Sequence, residues 1–248
     1  MKIRARDLSA LRIDRVEFAS AGGVVRGLYY HTAEDREASC VVLCHGYSAA
    51  KHNVDPLAFY LAVEGWCAIA FDFLGHKLGA SEGRLRTADD LVSNALDAVA
   101  CARGLPGVAR VVLGGHSMGA ATAIGASVRD PGVAGVIAMC TALERSAGAA
   151  DGPLAGGLSN RSQYVEGPAP SEITAVMDGH TALVGKIAPR PLLVIAASRD
   201  AIVAPSAVRE LYDAAGEPKT FELVDATHTD CAERARFAIG KWLRFNDL

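Results

Sequence analysis

The sequence predicts an α/β fold, a mostly parallel, twisted sheet of eight strands with helices on both faces. Three observations carry this expectation. Short continuous apolar runs, such as Cys40–Cys44 and Cys67–Phe71, read as strands buried on both faces. Longer helical stretches alternate with them, as in strand–helix–strand crossovers. The chain has 248 residues, 50% hydrophobic and 21% charged, which is enough for one large core.

The elements follow in order. Val16–Phe18 and Val24–Tyr30 form an opening antiparallel pair around an Ala-Gly-Gly turn. Cys40–Cys44 is the first buried strand. A helix is expected from Val54 to Glu64, with Gly65 as its stop. Cys67–Phe71 is the next strand. Thr87–Arg103 reads as a helix capped by Thr87, with Leu91, Ala95 and Ala98 on one face. Arg110–Leu113 is a strand, Met118–Val128 an Ala-rich helix and Val133–Met139 another strand. Leu192–Ala197 and Phe221–Val224 are the last strands, with a helix over Ala207–Ala215 between them. Asp230–Phe245 closes the chain as an amphipathic helix. Residues 141–190 break the rhythm with many Gly and Pro, few helical signals and no convincing strand. They are expected to be an insertion within a single domain spanning 1–248.

Composition excludes several classes. A formal net charge of −3 leaves no basic excess, so nucleic acid is not an expected partner. No apolar stretch is long enough to span a membrane. The first fifteen residues lack the continuous apolar segment of a secretory leader, and a cytoplasmic location is expected. Six cysteines without CxxC spacing read as reduced, mostly buried thiols. No metal and no organic cofactor are expected. The chain is compatible with a homo-oligomer.

Gly115-His116-Ser117-Met118-Gly119 matches G-x-S-x-G between a strand and a helix. This context presents the Ser117 hydroxyl on a tight turn, with small residues where chains approach closely. The N-terminus of the following helix aims free N–H groups at the serine oxygen. A serine needs a base, and the base needs an orienting carboxylate. Asp200 lies just past the strand Leu192–Ala197, and His228 just past Phe221–Val224. Both sit at strand C-termini, where open α/β sheets build their sites. Glu144 is the rival acid. His45-Gly46-Tyr47 follows the first buried strand, so the main-chain N–H groups of Tyr47 and Met118 are the candidate oxyanion donors, with Ser48 as substitute for Tyr47. His116 is expected to point away from Ser117.

These residues together resemble the α/β-hydrolase fold superfamily, of the single-domain serine esterase, lipase and peptidase type. The resemblance rests on His45-Gly46, Asp72-Phe73-Leu74-Gly75-His76, the elbow at 115–119, Asp200 with Ile202-Val203, and His228. The family often continues G-x-S directly after the His76 position. Here Lys77-Leu78 intervene before Gly79-Ala80-Ser81. Residues 141–190 fall where the family inserts a lid, here a reduced one. The resemblance implies a serine hydrolase acting on a carboxylic ester of a small to medium acyl substrate through an acyl-enzyme on Ser117. Peptidase or amidase, thioesterase and carbon–carbon hydrolase activities remain open on the same triad. A non-catalytic ligand-binding protein is the remaining alternative. The expected partner is a small-molecule acyl substrate. Leu143, Tyr164, Met177, His180 and Leu183 of the insertion are the candidate pocket wall.

Overall fold

The computed structural model describes residues 8–32, 37–143 and 160–248. Its strands are β1 (Leu11–Ser20), β2 (Gly23–Thr32), β3 (Ala38–Cys44), β4 (Cys67–Phe71), β5 (Val108–His116), β6 (Gly135–Met139), β7 (Leu192–Ala197) and β8 (Lys219–Val224). They form one eight-stranded sheet in the order β1-β2-β4-β3-β5-β6-β7-β8. The pairings β1–β2 and β2–β4 are antiparallel, and every other pairing is parallel. The opening pair is longer than its apolar pattern, because backbone pairing runs on past exposed side chains such as Arg12 and Asp14.

The helices are α1 (Asp55–Val63), α2 (Asp90–Arg103), α3 (Met118–Arg129), α4 (Pro170–Thr181) and α5 (Pro205–Ala214), followed after a short turn, Cys231–Arg234, by α6 (Arg236–Phe245). Among the described residues no helix is long and apolar enough to cross a membrane. Alternation along the strands divides the core into two layers. Cys40, Val42 and Cys44 of β3 join one apolar cluster with residues of α2, α3, α4 and α5. Val41 and Leu43 join the other with residues of α1 and α6. This two-sided burial is why the parallel strands read as unbroken apolar runs.

Two expectations are corrected. Thr87 is not part of α2, which starts at Asp90. The Asp90 carboxylate instead reaches back and accepts the amides of Arg86 (2.7 Å) and Thr87 (3.2 Å), fixing the approach to the helix. The insertion is also more helical than its composition suggests. Pro170 opens α4 at a position where its missing N–H costs nothing. Gly179 and three threonine or serine residues weaken its intrinsic propensity, so α4 depends on docking. Ile173 and Met177 bury on the core, and the Thr181 hydroxyl donates to the Leu143 carbonyl at 2.8 Å. The His180 ring lies over Gly125 of α3, where a Cβ would stand 2.6 Å from the ring. The start of the described part of this insertion is pinned too. Lys77 N–H donates to the Tyr164 carbonyl at 2.9 Å, and Glu166 N–H to the Gly75 carbonyl at 2.8 Å.

Gly125→Ala should therefore push out the His180 ring and loosen α4 on α3. The expected cost is about 1–3 kcal/mol in urea unfolding, with faster proteolysis within 160–185.

Candidate active site

β3 is paired with β4 on one side and β5 on the other, and the chain reverses direction across the sheet at this point. The crevice beyond the ends of β3 and β5 is thus where an open α/β sheet offers a site. Ser117 stands between β5 and α3 with φ 55° and ψ −116°, a conformation that L residues adopt only under constraint. Its amide donates to the Met139 carbonyl at 2.8 Å. The turn is closed by contact rather than by side chains. A Cβ on Gly115 would lie 2.2 Å from the Gly119 carbonyl oxygen, and one on Gly119 would lie 2.3 Å from that of Cys44. The end of β3 and the first turn of α3 therefore meet backbone to backbone.

Asp200 follows β7 and His228 follows β8, and these strands pair in parallel. Asp200 Oδ1 accepts the amides of Ile202 (2.8 Å) and Val203 (2.9 Å), and its Oδ2 lies 2.7 Å from His228 Nδ1. Burial works to raise the Asp200 pKa, but the bond to His228 and the two amides outweigh it, so the carboxyl is held below its ordinary value. An ionised carboxylate only accepts, so His228 Nδ1 donates the proton of this bond and Nε2 is left unengaged by Asp200. His228 is fixed from the other side by His116, whose ring packs on it at 4.6 Å between centroids. His116 thus turns to His228 and lines the same cavity.

That cavity is about 180 Å³. Ser117 and His228 border it together with Tyr47 and Met118, and Ile173 and Met177 of α4 supply apolar wall. Of the expected wall residues only Met177 lies there. Leu143 is half-buried against the core. Tyr164 is exposed, its main chain engaged with Lys77. His180 is buried between α4 and α3, 3.6 Å from Asp89. Leu183 ends the turn after α4, outside the cavity lining. Glu144 lies outside the described residues. Sequence reasoning passed over Asn53, Ile173 and Arg161, which border the cavity, as do Ser48, Ile202 and Val203, named there only as a substitute oxyanion donor and as residues beside Asp200. For Ile173 the Pro170 helix start was an available signal. For Arg161 no local signal exists.

The loop carrying Gly46 and Tyr47 is braced from below. His45 is fully buried, and its Nε2 accepts the Phe73 amide at 3.0 Å, which leaves Nδ1–H to donate to the Gly46 carbonyl at 2.8 Å. His76 packs on His45 and Tyr47. The Asp72 carboxylate is buried beside them and accepts the Lys51 amide (2.7 Å), the Lys51 ammonium (2.6 Å) and the Ala80 amide (2.8 Å). The Ser81 hydroxyl donates to the Asp72 carbonyl at 2.6 Å. The additional Lys77-Leu78 pair bulges outward while Gly79 packs on the Asp72 side chain, so the loop keeps its anchors.

Among the described residues, the donor atoms of His116, Cys140 and His228 come within 4.8 Å of one another. This is a poor metal site. Hydrogen bonding to Cys231 and burial push the Cys140 thiol far up, and the thiolate is the ligating form. His228 is also already committed to Asp200.

Residues 35–166, more than half of the chain, match the family model described as "Serine aminopeptidase, S33". The chain belongs to this α/β-hydrolase family. No curated protein matches the sequence. Solved structures similar to this S33-family chain include Est1E from Butyrivibrio proteoclasticus with ferulic acid bound, at 16% identity and a TM-score of 0.77, covering 94% of this chain and 99% of that one. The Pyrococcus furiosus esterase Pf2001 is 21% identical with a TM-score of 0.71, covering 99% and 96%. An acetyl xylan esterase from Paenibacillus sp. R4 is 18% identical with a TM-score of 0.74, covering 99% and 86%. At these identities the likeness is one of fold.

Two outcomes follow from this geometry. Gly119→Ala places a methyl group against the backbone of Cys44 and His45, so it should separate β3 from α3 and cost at least about 2 kcal/mol in urea unfolding. The second concerns acid. Burial and then the neighbouring His76 push His45 down to about 3, and burial pushes His76 down to about 4, both from 6.5. Between 6.5 and those values the unfolded chain binds more protons than the folded one, so stability falls as pH is lowered. From pH 6.5 to 5 each ring should cost roughly 2 kcal/mol. Urea unfolding at pH 7 and pH 5 measures the loss, and His76→Asn should remove about half of it.

Proposed function

We propose that the protein is a serine hydrolase that cleaves a carboxylic ester of a small to medium acyl group. The observation that carries this reading is the left-handed Ser117 at the head of α3, bordering one cavity with a histidine held by a buried carboxylate. Ser117 Oγ attacks the ester carbonyl while His228 Nε2 takes its proton. Asp200 keeps the imidazole in that tautomer and stabilises the imidazolium that forms. The main-chain N–H groups of Met118 and Tyr47 receive the oxyanion. His228 then gives its proton to the departing alcohol, leaving an acyl group on Ser117. Water, deprotonated by His228, attacks that acyl group, and His228 returns the proton to Ser117 Oγ as the acid leaves. Every proton and leaving group is handled by these side chains, so the reading calls on no metal or cofactor.

The same triad could open an amide, a thioester or a carbon–carbon bond. Aminopeptidase action, suggested by the family description, needs a group to hold a free amine. None of the described residues lining the cavity is acidic, and its one Lys or Arg is Arg161, which favours the ester reading. A receptor without catalysis has no need of the strained serine turn.

A panel of aryl esters of increasing acyl length tests the proposal. Ser117→Ala should lower kcat by at least about 10³-fold, His228→Ala by a comparable factor, and Asp200→Asn by roughly 10²–10⁴-fold, all with native unfolding curves. A fluorophosphonate should label the wild type and not Ser117→Ala. Full esterase activity in Ser117→Ala would overturn the assignment.

A further inference from the structure

The ester mechanism makes no use of a charge at the cavity rim. Arg161 is an exposed residue whose side chain turns onto the cavity. Its Nε donates to the Ser48 hydroxyl at 2.7 Å and its Nη2 to the Ser48 carbonyl at 3.2 Å. Both acceptors are neutral. Among the described residues no carboxylate pairs with this guanidinium, none of those lining the cavity is acidic, and Nη1 has no acceptor. Most other arginines with a close acceptor here behave differently. Arg26, Arg103, Arg129, Arg199, Arg209, Arg234 and Arg244 each meet an Asp or Glu.

The anchor matters as much as the charge. Ser48 is 1% exposed and held at φ 52°, and it directly follows Tyr47, whose amide is the proposed oxyanion donor. The two bonds to Ser48 therefore fix the guanidinium plane at a set place relative to the reacting carbonyl. Around it the cavity is apolar, with Pro170, Ile173 and Met177 on one wall and Ile202 and Val203 on another. A planar cation with free N–H donors, beside apolar walls, suits a carboxylate, which it can bind through two parallel hydrogen bonds.

We infer that Arg161 is a specificity-determining residue that selects esters bearing a second, ionised carboxylate, such as half-esters of dicarboxylic acids. This rests on the proposed ester reading and narrows its substrate class. The carboxylate belongs to the acyl or to the alcohol portion, and the two are separated by the probes below. The near-neutral net charge of the chain conceals this local cation.

The test compares matched pairs. Mono-p-nitrophenyl suberate against its methyl ester places the charge on the acyl side. 4-Acetoxybenzoate against methyl 4-acetoxybenzoate places it on the alcohol side. The wild type should favour the charged member of one pair by about tenfold in kcat/KM, carried by KM. Arg161→Met should abolish that ratio and Arg161→Lys should restore part of it. A ratio that stays the same in Arg161→Met, because both members slow together or neither changes, overturns the inference and leaves Arg161 a brace for Ser48. Calorimetry on Ser117→Ala keeps the two proposals apart. If no ester is turned over, yet this variant binds the charged ester about tenfold more tightly and loses that margin with Arg161→Met, the ester chemistry fails and the Arg161 assignment stands. Equal binding of charged and uncharged esters by Ser117→Ala overturns the assignment.

Discussion

The contact on which the site depends is the meeting of two backbones, the end of β3 and the first turn of α3. With hydrogen alone at Gly119, α3 comes close enough to the Cys44 and His45 carbonyls to place its N-terminus beside the loop that follows β3. Gly115 allows the other half of the same turn to close under α3. Ser117 is held at positive φ as a result, since the chain must leave β5 and enter α3 within one residue. The strain is local, and the packing of β5 and α3 into the core offsets it. Both candidate oxyanion amides, Tyr47 on one backbone and Met118 on the other, are brought together by this single approach.

Around that contact stands a support of buried polar groups, most of them hydrogen-bonded. Asp72 ties together Lys51, Ala80 and Ser81 beneath the loop. His45 bridges the Phe73 amide and the Gly46 carbonyl. Burial keeps both His45 and His76 neutral, so the support is a network of oriented dipoles rather than a cluster of cations behind the candidate oxyanion donors. On the far side, β7 and β8 deliver Asp200 and His228 through loops that are themselves closed by backbone amides and by Asp230, which accepts the Thr227 amide and hydroxyl. The site therefore stands between two braced loops, and α4 supplies apolar wall through Ile173 and Met177.

Much of the architecture was legible because the relevant signals are local. Eight apolar runs predicted eight strands, and the glycine-flanked serine between a strand and a helix marked the β5–α3 turn. Asp200 and His228 could be picked out because strand C-termini are where such sheets carry chemistry. The insertion was harder. Its helix α4 has a proline start that could be read, but its threonines and Gly179 dilute the pattern, and its stability comes from Gly125 and the rest of α3. Leu143, Tyr164 and His180 are apolar or aromatic residues of the insertion, which makes each a wall candidate from sequence. The structure places them elsewhere: Leu143 packs on the core, the Tyr164 carbonyl accepts the Lys77 N–H, and His180 lies beside Asp89.

The sequence by itself determined what short-range periodicity and chain order can encode: strands and helices, the elbow, the order of serine, acid and histidine, and membership of a hydrolase fold. Tertiary structure alone decided which distant segments share the cavity. Arg161 meets Ser48 across 113 residues of sequence, and Met177 reaches the same cavity from α4. No local pattern announces such meetings, because they arise from how α4 and the loop after β3 pack on one core. The shape and charge of the cavity wall are therefore tertiary properties, whereas the candidate chemical groups are written along the chain.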